Sequence, residues 1–112
     1  MLINNVEIED IDLLDAEVAE KYEKAMNGLQ KESGITTEGS GLADTIRKEC
    51  NLIFNFFNTM FGEGTDKKIF GNKTNYGVCT EALKEVIEHI NEQIKELDKA
   101  TAKYSINRAK RK

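Results

Sequence analysis

Apolar residues recur at helical spacing in three stretches of this chain, separated by short polar or glycine-rich breaks. Val18, Tyr22, Ala25, Met26 and Leu29 form the first stripe and predict a helix from about Asp15 to Lys31. Leu42, Ile46, Cys50, Ile53, Phe54, Phe57 and Phe61 form the second, over a helix from Leu42 to Phe61. Leu52, Phe56 and Met60 widen that second stripe beyond one face, as in a helix central to a core or covered by another subunit. Gly62 is the expected stop, because glycine takes left-handed backbone at little cost. Thr65 or Asp66 then caps one short turn through Ile69-Phe70, which Gly71 ends. The third stripe, Val78, Ala82, Leu83, Val86, Ile87, Ile90, Ile94 and Leu97, predicts a helix starting near Asn75 or Gly77.

That last helix meets no glycine or proline after Val78, and Leu83, Ile90, Leu97 and Tyr104 recur every seven residues. Helical to Arg108, it would be about 46 Å long. A compact chain of this size has a diameter of roughly 34 Å. The end is therefore expected to fray, to project, or to pack on a second chain. At the other terminus Leu2, Ile3, Val6 and Ile8 alternate around Asn4-Asn5, a pair that tolerates the turn of a small β-hairpin. The expected fold is mainly all-α: three principal helices in a single domain over residues 1–112, with a β element at 1–9. A flexible linker is expected at 33–41 and a basic helical or frayed tail at 99–112.

Composition agrees with long helices: 112 residues, no proline, no tryptophan and 32% charged side chains. No stretch is long and apolar enough to span a membrane, and the start lacks the zones of a signal peptide, so a cytoplasmic protein is expected. Cys50 and Cys79 both fall on predicted helix and are read as reduced and half-buried. The net charge of −4 hides an asymmetry. Residues 1–23 carry eight acids against the single base Lys21, whereas residues 99–112 carry six bases and no acid. Opposite ends of this kind fit head-to-tail self-attraction or docking on an acidic partner. They also fit plain helix-dipole complementarity with a solvated end.

Reactive chemistry is sparse. His89, the one histidine, shares a helix face with Glu85 and Glu92, but Glu88 and Gln93 make that face read as an ordinary wet surface. Gly71-Asn72-Lys73-Thr74 has its glycine one position too early for a phosphate-binding loop, and Gly62-Glu63-Gly64 follows no strand. Helix capping explains both. A pI of about 5.1 and an acidic first helix argue against nucleic-acid binding. No catalytic, metal or cofactor residues are expected.

Phe56-Phe57-Asn58, Phe61-Gly62-Glu63-Gly64-Thr65, Ile69-Phe70-Gly71, Cys79 and Ala82 carry a resemblance over roughly residues 1–95. With the Asp-rich approach to Asp15-Ala16-Glu17, they resemble small proteins from the structural or tail-assembly region of phages and prophages of Gram-positive bacteria. That resemblance implies a tail assembly chaperone, a non-enzymatic helical factor in the host cytoplasm that binds an apolar helical client such as the tape-measure protein. The alternatives are a phage structural or connector component, present in the virion, and a small regulatory binding protein. The residues expected to form the partner or oligomer surface are Leu52, Phe56, Met60, Ile90, Leu97 and Tyr104. The same apolar residues would equally fill the monomer's own core or a homo-oligomer seam.

Overall fold

The computed structural model describes the backbone of residues 1–32 and 41–110, and the side chains of 1–30 and 41–100. Two short strands, β1 (Leu2–Ile3) and β2 (Val6–Glu7), precede four helices: α1 (Ala16–Glu32), α2 (Leu42–Phe61), α3 (Thr65–Phe70) and α4 (Tyr76–Lys110). Mainly helical architecture with an N-terminal hairpin and a long last helix is thus the observed fold. Nearly all of the linker expected at 33–41 lies outside the described residues; only Gly41 is placed, at the start of α2.

The strands pair antiparallel, Leu2 with Glu7 and Ile3 with Val6. Asn4 and Asn5 both take positive φ, 52° and 62°, the backbone of the turn that matches the right-handed strand twist. A two-stranded hairpin is marginal alone, and this one is tied down. Ile3 is fully buried, the Asn4 side-chain amide donates to the Ile69 carbonyl at 2.9 Å, and the Asn4 N–H donates to Glu85 Oε1 at 3.4 Å. The chain's terminal ammonium closes the hairpin's open end on Glu7 (3.1 Å), Asp10 (2.9 Å) and the Ile8 carbonyl (2.9 Å).

Caps set the helix boundaries. Asp15 Oδ1 accepts from the Glu17 N–H at the start of α1, and Asn75 Oδ1 accepts from the Val78 N–H at the start of α4. At the other end of α2, Gly62 adopts φ 108° and ψ 159°, which a side chain resists. The Asp66 N–H of α3 donates to Asn58 Oδ1 at 3.0 Å, and Thr65 Oγ1 donates to the Gly62 carbonyl at 2.7 Å. Asn58 thus joins the end of α2 to the start of α3, which gives the Phe-Phe-Asn…Phe-Gly-Glu-Gly-Thr motif a structural job.

The turn folds Phe70 back onto α2. Its ring lies 5.6 Å from Phe57 in an edge contact and 5.1 Å from Phe54. Phe57 is fully buried and also meets Phe56 and Phe61. Phe61 is only half-buried, stacked on the outer side of Phe57 at 6.2 Å, so Phe57 and Phe70 are the stronger anchors. Val86 and Ile90 of α4 and Ile3, Ile8 and Ile11 of the N-terminal segment complete the core. α2 lies at the centre, with α1, α3 and α4 all packed against it.

Candidate functional site

Seven large apolar side chains among the described residues are exposed: Leu2, Leu14, Leu42, Tyr76, Val78, Ile94 and Leu97. Three of them, Leu14 (66% exposed), Ile94 (37%) and Leu97 (45%), line one groove. Its walls are Leu13, Leu14, Ala19, Tyr22 and Glu23 on the N-terminal side and Gln93, Ile94 and Leu97 of α4 on the other; it encloses about 210 Å³. Clustering is the informative point, since single exposed apolar residues are ordinary.

Gln93 fixes the groove's geometry. Its Oε1 accepts from the Leu13 N–H at 2.7 Å, and its amide nitrogen donates to the Ile11 carbonyl. One side chain therefore satisfies two backbone groups of the segment that leads from the hairpin into the turn before α1. Gln93 read in the sequence as part of a wet face; its role is instead a clamp. Ile11 is pulled into the core while Leu13 and Leu14 are left at the groove.

The residues expected to face a partner divide sharply. Leu52 (8% exposed), Phe56 (1%), Met60 (7%) and Ile90 (0%) are covered by the chain itself, so in the monomer they do not form the partner surface expected of them. For Leu52, Phe56 and Met60 the reason is the central place of α2, whose broad apolar girth is taken up by three neighbouring helices; Ile90 lies on α4 and belongs to the same core. Leu52 and Phe56 reach only the floor of a smaller hollow of about 150 Å³ between α1 and α2, among Lys24, Ala25, Gly28, Leu29, Asn55 and Thr59. Leu97 is exposed, as a partner surface requires. Tyr104 sits on the backbone of α4, with its side chain outside the described residues. Leu13, Leu14 and Tyr22 were missed. Leu13 and Leu14 stand in a stretch with no periodicity, and Tyr22 looks like plain core.

The His89 face is a wide, open hollow lined by Glu85, Glu88, His89, Asn91, Glu92 and Lys95. Glu92 pairs with Lys95 at 3.8 Å, and Glu85 accepts from the hairpin. Among the described residues no group of His, Cys, Asp or Glu is arranged to hold a metal ion. Asp10 is held below its ordinary value by the hydrogen bond from the terminal ammonium, then by that group's charge, with His89 adding a smaller attraction.

Cys50 and Cys79 are free thiols and fully buried, more so than the half-burial expected. Loss of water pushes the Cys79 thiol up to about 12, and a hydrogen bond with Cys50 adds to the shift. Such a thiol is a poor nucleophile. Glu49 is also buried, and its Oε1 meets no hydrogen-bond donor among the described residues. No helix among the described residues is long and apolar enough to cross a membrane.

The arrangement is that of a small helical protein with a packed aromatic core and an apolar groove on its surface. The chain belongs to DUF6673, a family of unknown function, whose model matches residues 4–112. No curated protein and no solved structure matches it at a significant level.

Proposed function

We propose that this protein is a non-enzymatic, helix-binding protein that acts as a tail assembly chaperone of a phage or prophage. Its client is an apolar helical segment, such as part of a tape-measure protein, and it works in the cytoplasm of the host cell. The observation that carries the binding reading is the groove, in which Leu14, Ile94 and Leu97 stand exposed on a scaffold held by Gln93. A groove walled by aliphatic side chains suits an amphipathic helix laid into it apolar face first. Glu23, which lines it, is exposed and keeps the rim wet. The phage step is supported by the resemblance carried by Phe56-Phe57-Asn58 through Gly71. Those residues build the core and the α2–α3 turn, so they speak for kinship rather than for the binding act.

Co-expression with a fragment of the tape-measure protein from the same genome tests the reading. The fragment should become soluble and co-purify, and moderate salt should weaken the complex little, because the contact is mainly apolar. A fragment equally soluble with and without this protein, and no co-purification, would remove the chaperone reading and favour a structural component of the particle.

A further inference from the structure

We infer that the free protein is an antiparallel dimer, in which the projecting end of each α4 lies in the groove of a second copy. The dimer needs the groove described above but no client, so its failure and the client's failure are read separately.

The apolar line on α4 runs through Ile87, Ile90, Ile94 and Leu97 at alternating spacings of three and four; the same spacing next reaches the small polar Thr101 and then the aromatic Tyr104. Ile90 is fully buried in the chain's own core, whereas Ile94 and Leu97 on the same line are exposed. The line thus leaves the core and continues without changing face. α4 runs on to Lys110; its 35 residues span about 52 Å, and the molecule measures 61 Å along its long axis against 33 and 21 Å across. A helix that outruns its own body with an apolar line still on it is half of a seam.

Charge identifies the occupant. The N-terminal wall of the groove belongs to the acidic stretch of residues 1–23, with Asp12, Asp15, Glu20 and Glu23 all exposed. After Asp98 the chain has no acid, and six bases follow from Lys99 to Lys112. One sequence therefore carries both an apolar groove beside an acidic stretch and the basic end of α4 that complements it. In an antiparallel register position 97 lies opposite 101 of the second copy, and 94 opposite 104. Each basic end then runs along the other copy's acidic N-terminal wall. A parallel pair would stack the two basic ends on each other and leave both acidic walls uncompensated.

The purified full chain, with no client, provides the test. Light scattering should give twice the 12.7 kDa chain mass at low salt, with the dimer loosening as salt rises. Leu97→Lys and, independently, Leu14→Lys should each weaken it at least ~10-fold with an unchanged circular dichroism spectrum, because both side chains are exposed in the monomer. Orientation is read by mixing Ile94→Cys with Tyr104→Cys under mild oxidation by oxidised glutathione. The mixture should form the cross-linked dimer and neither variant alone should. A monomer at every concentration, or Tyr104→Cys linking to itself as readily as the mixture links, would overturn the antiparallel dimer.

Discussion

Gln93 and Leu13 stand 80 positions apart in the chain and are joined by a 2.7 Å hydrogen bond from the Leu13 N–H to the Gln93 side-chain oxygen. The same amide donates to the Ile11 carbonyl. This pairing decides where the groove's N-terminal wall stands. Gln93→Ala should cost about 1–3 kcal/mol, the range for leaving partly buried backbone groups unpaired. Glu92→Ala, on the exposed face one residue earlier, should change stability by no more than about 0.5 kcal/mol. Denaturant melts of the two variants compare them directly, and equal midpoints would show that the clamp is idle.

The aromatic cluster should be the largest single contribution to stability. Phe57 is fully buried among Phe56, Phe61 and Phe70, so Phe57→Ala should cost about 3–5 kcal/mol. A denaturation midpoint within error of the parent would contradict its place in the core.

The α2–α3 turn is tested at two points. Asn58→Ala removes the acceptor of the Asp66 N–H and should cost about 0.5–2 kcal/mol, as lost helix caps do. Gly62→Ala meets no steric obstacle around the added carbon, so any loss comes from the backbone at φ 108°, and about 1 kcal/mol or more is expected. An Ala variant as stable as the parent would mean that the turn relaxes to another geometry.

Cys79 supplies a pH dependence. Its thiol rises from an ordinary 9.0 to about 12 on folding, chiefly because burial disfavours the thiolate. Below about pH 9 both states hold the proton, so the stability resting on the neutral thiol is whole. Above it the unfolded chain releases a proton that the folded chain keeps, and stability should fall as pH climbs towards 12. Cys79→Ala should flatten that alkaline fall. Iodoacetamide should label Cys79 slowly in the native protein and rapidly in urea; fast native labelling would show that the site is open.

Much of the fold was legible because local chemistry and global packing agree. Asn4-Asn5 announced the hairpin through positive φ, and the observed α2 runs from Leu42 to Phe61, as the stripe and Gly62 require. The surface was far less legible. A broad apolar helix reads the same whether a partner or its own chain covers it, so Leu52, Phe56 and Met60 looked available and are buried. Phe56→Asp would accordingly unfold the protein rather than probe binding. Gln93 was unreadable for the opposite reason: a lone polar residue on a charged helix gives no sign of the segment it holds 80 positions away. Leu14 carries no period, and only the folded chain brings it beside Leu97.

The account's central claim is that the groove between Leu14 and Leu97 receives an apolar helix. The most direct measurement is the affinity of a tape-measure helix for Leu14→Lys compared with Leu42→Lys, by calorimetric titration. Leu14 and Leu42 are both exposed leucines, at 66% and 75%, and only Leu14 lies in the groove. Leu14→Lys should weaken binding at least ~10-fold, as for a central apolar contact, and Leu42→Lys should leave it unchanged. Equal affinity for both variants, or a wild-type protein that binds no such helix, would contradict the claim.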